Sequence, residues 1–186
     1  MSRIIISTMV GLILFLQCKE VANENVTCSV GAVTSDEDLN GLNVRESING
    51  KVIDALPKDT MLGVVGYKNG WFKIEDASYS YEEKFDGLAI KWKHNTGSTW
   101  VERKYFNKEA WVNAKHLKTY LNTRADLIYQ EPDSNSPVLT HFKDQDSIMY
   151  PVQLLECKND WVKIDYKGNK GWVNSGTCPN PHTTCS

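Results

Sequence analysis

The sequence predicts an all-β chain built from one small unit used twice, and three observations carry that expectation. A pair of tryptophan strands recurs: Trp161-Val162-Lys163-Ile164-Asp165 with Gly171-Trp172-Val173-Asn174 follows an earlier Trp71-Phe72-Lys73-Ile74-Glu75 with Ala110-Trp111-Val112-Asn113. Recurrence of the same segments in the same order marks a repeated supersecondary unit. The first strand of each pair alternates faces, Trp71, Lys73 and Glu75 on one and Phe72 and Ile74 on the other, which is the period of a half-buried strand. Asn69-Gly70 stands directly before Trp71, and that dipeptide favours a two-residue hairpin because both residues accept positive φ. The 186 residues accommodate two such units of roughly 60 residues, each just able to bury its own core, plus an insertion.

Residues 1–17 read as a signal peptide. Arg3 is the only charge before an apolar stretch at residues 4–16, the length of a secretory h-region and short for a bilayer span. Leu14-Phe15-Leu16-Gln17-Cys18 then resembles a bacterial lipoprotein signal, in which cleavage precedes a cysteine that takes acyl chains. It departs from that pattern at Phe15, where Leu is preferred, and at Gln17, where a small residue is. An ordinary signal peptide with Cys18 incidental is the other reading, and cysteine counting favours lipidation: of five cysteines four can pair, and Cys18 is the one in place to carry lipid. Export makes pairing the expected state of the rest. Cys178 and Cys185 enclose a turn-rich loop that can close on itself, leaving Cys28 for Cys157; Cys157 joined to Cys178 or Cys185 is the alternative. No C-x-x-C occurs and His94, His116, His141 and His182 are scattered, so no metal site is expected.

Residues 18–39 read as an N-terminal segment outside both units. The first unit, residues 40–120, opens with Leu42-Asn43-Val44-Arg45-Glu46-Ser47, continues as a strand at 51–56, turns at Pro57-Lys58-Asp59-Thr60, and runs through strands at 61–67, 71–75 and 110–114. The second, residues 124–186, repeats the order through Leu127-Ile128-Tyr129, Pro137-Val138-Leu139, a strand at 148–157, a turn at Asn159-Asp160, and paired strands at 161–166 and 171–174 before a disulfide-bonded tail. Residues 118–123 form a short link that permits packed or separate units. The matched tryptophans are 40 positions apart in the first unit and 11 in the second, so the first carries 29 extra residues. That insertion, at 77–109, alternates at 88–93 and 99–103 about Asn95-Thr96-Gly97, and it predicts a hairpin growing out of the unit's last hairpin. Its rings, including Tyr79, Trp92, Trp100 and Tyr105, have two readings. Packing against the units is the simpler; a surface of Trp92, Trp100 and Tyr105 beside Lys91, Lys93, Arg103 and Lys104 is the other.

Five short strands, an L-N-V-R-E-S opening, N-G-W-F-K-I-E and a terminal G-W-V-N together resemble the bacterial Src homology 3 domain. The first unit is closer to that pattern at its opening. The second lacks the arginine there but has the short final hairpin. The resemblance implies two small Src homology 3-like β-barrels, the first with an inserted β-hairpin, and closure that removes exposed sheet edges. It also implies an aromatic groove for extended peptide, with Tyr67, Trp71 and Trp111 as the candidate rings in the first unit and Tyr129, Trp161, Tyr166 and Trp172 in the second. Bacterial relatives look like modules that target the cell wall or envelope.

Several function classes are disfavoured. Formal charge is −2, with Lys and Arg spread among Asp and Glu and no basic stripe, so nucleic acid is not an expected partner. With the cysteines accounted for and no histidine in a recognisable motif, neither catalysis nor a cofactor is expected. The expected protein is therefore a non-catalytic, exported envelope component anchored to a membrane by lipid, binding peptidoglycan peptide or an envelope protein. The alternatives are a surface-exposed protein that meets a host or neighbouring-cell partner through the insertion, and a purely structural spacer.

Overall fold

The computed structural model of the chain describes residues 26–81, 99–121, 127–142, 151–174 and 176–178. The expected signal peptide, Cys18, Trp92, Cys185 and the expected strand at 88–93 lie outside the described residues. Among the described residues, apart from one 3-10 turn at Ala114–His116, the regular structure is β: β1 (Val26–Thr34), β2 (Leu42–Arg45), β3 (Val52–Leu56), β4 (Met61–Lys68), β5 (Trp71–Tyr81), β6 (Thr99–Lys104), β7 (Trp111–Asn113), β8 (Leu117–Leu121), β9 (Leu127–Tyr129), β10 (Val138–His141), β11 (Val152–Lys158), β12 (Trp161–Tyr166), β13 (Asn169–Asn174) and β14 (Thr177–Cys178). They hydrogen-bond in the order β10-β9-β13-β12-β11-β8-β1-β4-β5-β7-β2-β3, with β6 on β5 and β14 on β8.

Turn chemistry places the hairpins where the sequence puts them. Asn69 and Gly70 have φ of 50° and 79°, Lys167 and Gly168 have 52° and 87°, and Asn159 has 53°, all in the left-handed region that Asn and Gly tolerate best. The strands on either side of those turns pair in one register in both halves. Trp71 faces Asn113 and Lys73 faces Trp111; Trp161 faces Asn174 and Lys163 faces Trp172. Tyr67 faces Phe72 as Cys157 faces Val162. A bulge lies between Val64 and Gly66 and another between Leu154 and Glu156.

Three expectations are corrected. Residues 18–39 are not all outside the first unit, because β1 pairs with β4 on one edge and β8 on the other. Residues 118–121 of the expected link are strand, because β8 serves both halves. It pairs with β1 through Leu117 and Lys118, and with β11 through Lys118 and Thr119. Nor is the sheet closed: β3 and β10 end its path, and they expose Val52 and Ile53, and Val138 and Leu139.

The insertion also differs from expectation in what is described of it. β6 occurs where the second inserted strand is expected, but its partner is β5 itself, which continues to Tyr81 and pairs Asp76 with Lys104 through Tyr81 with Thr99. Alternating inward residues then build one core across both halves, with Phe72, Ile74, Leu56, Val112, Leu117, Ile128, Leu154, Ile164 and Val173 essentially inaccessible. At about 25 cal/mol per Å2 of buried apolar surface, continuity of that core favours a single body over two.

The seam between the halves is also covalent and polar. Cys28 on β1 is bonded to Cys157 on β11, the pairing expected if the tail closes on itself. Cys178 is disulfide-bonded as well. The Gln153 amide donates to the carbonyls of Ala114 (3.0 Å) and Leu117 (2.8 Å), satisfying groups at the end of the 3-10 turn. The fully buried Thr119 hydroxyl donates to Gly31 O at 2.6 Å.

Candidate functional site

In β12, Val162, Ile164 and Tyr166 point inward, so Trp161, Lys163 and Asp165 share the outer face. Direct cross-strand partners share a face, which brings Glu156, Trp172 and Tyr129 to it: Glu156 opposes Lys163, Lys163 opposes Trp172, and Trp172 opposes Tyr129. The contacts agree. Lys163 Nζ is 3.0 Å from Glu156 Oε1 and 5.5 Å from the Trp172 ring centroid, within cation–π range. The Tyr129 and Trp161 rings meet edge to face, with centroids 5.5 Å apart at 84°. Trp172 is largely covered by its neighbours, whereas Tyr129 and Trp161 are half-buried.

Gly171 allows this crowding. A Cβ there would lie 2.4 Å from Ile128 Cγ2 and 2.7 Å from Tyr129 O, so any side chain would push β9 away and take Tyr129 with it.

The first half holds the corresponding face differently. Arg45, Trp111, Lys73 and Trp71 occupy the register positions of Tyr129, Trp172, Lys163 and Trp161. Arg45 turns to its own loop, where Nη1 donates to Gly50 O at 2.6 Å. Trp111 is buried, its indole N–H donates to Glu109 Oε2 at 2.9 Å, and the other Glu109 oxygen accepts from Lys73 Nζ at 2.5 Å. The Lys73 hydrogen bond outweighs the opposing effect of desolvation and, with a smaller contribution from the Trp111 hydrogen bond, holds the Glu109 carboxyl below the usual carboxylate range.

Two of the candidate rings lie elsewhere. Tyr67 faces the interior beside Phe72 (centroids 5.1 Å apart), and its hydroxyl accepts the Gly70 N–H at 3.0 Å. Burial raises its phenol pKa, and the Glu156 charge across the seam contributes in the same direction. Tyr166 is buried against Phe142, centroids 4.7 Å apart, and its hydroxyl has no hydrogen-bond partner among the described residues. Of the insertion rings, Tyr79 and Tyr105 are buried, and the Tyr105 hydroxyl donates to Asp54 Oδ2 at 2.8 Å. The side chain of Trp100 lies outside the described residues.

Lys163, Glu156, Glu109 and Gly171 were absent from the sequence-derived candidates. The lysine was detectable: W-x-K-I occurs in both copies, and its alternation places Lys73 and Lys163 beside the tryptophans. Chemically, the second face offers flat apolar rings, an ammonium and a carboxylate within a few strand spacings. That arrangement suits stacking and polar contact with an extended ligand.

Compared with curated proteins, the chain as a whole has no significant match. Residues 127–178, which carry Tyr129, Glu156, Trp161, Lys163, Gly171 and Trp172, match the family described as Bacterial SH3 domain, and a bacterial SH3 domain occupies that stretch.

Proposed function

We propose that the chain is an exported, non-catalytic envelope protein, anchored by lipid on Cys18, that binds a cell-wall peptide or an envelope protein through paired SH3-like units. A bacterial SH3 domain suggests a binding module, often for peptidoglycan. The observation that carries the reading is the exposed side of the Tyr129, Trp161, Trp172 and Lys163 face within that domain. Reading the first half as a second, diverged copy rests on its common strand register and common bulge. The surface-partner alternative gains no support from Tyr79 and Tyr105, which are buried.

The test is co-sedimentation of the processed protein with purified peptidoglycan sacculi. Wild type is expected to pellet, and Tyr129→Ala or Trp161→Ala to release it at least tenfold, with the circular dichroism spectrum unchanged. These half-buried rings are better probes than Trp111 and Trp172, whose burial makes truncation a folding defect. Wild type left in the supernatant refutes the cell-wall reading. Globomycin-sensitive maturation tests the anchor, and normal processing of Cys18→Ala would overturn it.

A further inference from the structure

The two faces differ in charge at three register positions, Arg45 against Tyr129, Gly66 against Glu156 and Glu109 against Lys170, and the last of these is a reversal with a chemical consequence. In the first half, a carboxylate is clamped between the lysine of the W-x-K-I strand and the indole N–H of the following tryptophan: Glu109 accepts from Lys73 at 2.5 Å and from Trp111 at 2.9 Å. Glu109 stands immediately before Ala110-Trp111-Val112-Asn113. The residue immediately before Gly171-Trp172-Val173-Asn174 is Lys170. The second half thus keeps the lysine and the tryptophan, pairs the lysine with Glu156 from the strand on its other side, and puts a second cation where the carboxylate beside the tryptophan stands in the first.

The groups left behind have spare capacity. Lys163 is held on one side by Glu156, which uses one of its three ammonium donors. Lys170 is exposed, opposes Asp165 across the ladder, and makes no ion pair among the described residues. The Trp172 indole N–H likewise has no hydrogen-bond partner among them, although the ring is largely covered. Tyr129 replaces Arg45 at the rim, exchanging a self-bonded guanidinium for a ring that meets Trp161.

We propose that the second unit's face takes an external carboxylate, carried by an extended peptide, at the position that Glu109 fills internally in the first. The first face is closed by its own side chain, and the second is open to a ligand of the same chemistry. This rests on the peptide-binding reading and narrows it to peptides presenting a carboxylate.

The probe is a pair of N-acetylated tripeptides, Gly-Gly-Ala with a free C-terminus and the same peptide as its amide, titrated into isotopically labelled protein. The readout is the Trp172 indole N–H resonance, assigned through Trp172→Phe. The acid is expected to shift that resonance saturably and to bind at least tenfold more tightly than the amide. Lys170→Glu, which restores the carboxylate at the Glu109 position, is expected to abolish the response and move the free-state Trp172 signal toward that of Trp111. Equal binding of acid and amide overturns the carboxylate assignment and leaves the peptide face standing. Retained wild-type affinity in Lys170→Glu overturns the assignment, as does failure of the acid to bind while sacculi still pellet the protein. Acid binding without sacculus binding keeps the assignment and removes the cell wall as its source.

Discussion

Replacing both Cys28 and Cys157 with Ala tests whether the seam is held through the unfolded chain. The bond joins residues 129 apart in sequence, and closing a loop of that length removes about 16 cal/mol/K of chain entropy, roughly 5 kcal/mol at room temperature. For a chain of this size that corresponds to a fall in Tm of about 10–20 °C. Cys157 is buried and Cys28 packs against the core, so the lost sulfurs add about 1 kcal/mol of packing loss. The assay is urea denaturation monitored by tryptophan fluorescence. The diagnostic is the slope: without the cross-link the unfolded chain expands, so m rises together with the loss of stability. A loss below about 1 kcal/mol, or a 5 kcal/mol loss at unchanged m, would refute the unfolded-state account.

Four further outcomes follow from single side chains. Tyr166→Phe removes a buried hydroxyl that has no hydrogen-bond partner among the described residues and is expected to leave stability unchanged or raise it by about 1 kcal/mol, read from the denaturation midpoint. Gly171→Ala forces a Cβ against Ile128 and Tyr129 O and is expected to cost about 1–3 kcal/mol, with loss of the Tyr129 and Trp161 ring contact visible as altered near-ultraviolet circular dichroism. Gln153→Ala removes two amide hydrogen bonds, one to the Leu117 carbonyl and one to the Ala114 carbonyl, which keeps the Leu117 N–H, and is expected to cost about 0.5–1.5 kcal/mol per bond by calorimetry. Glu109→Gln gives a pH signature. A depressed folded pKa contributes stability above the unfolded value that is lost as pH falls through the folded one. The variant is therefore less stable at pH 7, by only about 0.2–1 kcal/mol for so exposed a pair, and its deficit closes below about pH 4, measured by urea denaturation across pH.

What was legible in the sequence is what local chemistry dictates. The Trp161–Tyr166 strand and the turns at Asn69-Gly70, Asn159 and Lys167-Gly168 could be located because alternation and positive-φ residues act over a few positions. β1 and the double duty of β8 could not, because their partners lie far along the chain: Val33 pairs with Met61 on one side and Lys118 on the other. Tyr67 was misplaced for a physical reason. The bulge between Val64 and Gly66 adds a residue to the strand and reverses the parity of everything beyond it. Tyr166 needed no structure, since five residues from Trp161 in an unbroken strand is the opposite face by counting. The Lys73, Glu109 and Trp111 clamp was hidden because 36 positions separate Lys73 from Glu109.

The double duty of β8 has a consequence for inheritance as much as for folding. Two halves that share a strand cannot be separated at any peptide bond without leaving one of them short. A fragment starting at residue 127, where the family match begins, lacks the strand that pairs with β11. Recombination that moved either half elsewhere would have to carry Leu117–Leu121 with it. A substitution at Thr119, bonded to Gly31 on one side and facing Val152 on the other, is felt by both halves at once. The halves therefore differ in their outer faces, as at Glu109 and Lys170, while the strand between them must satisfy both.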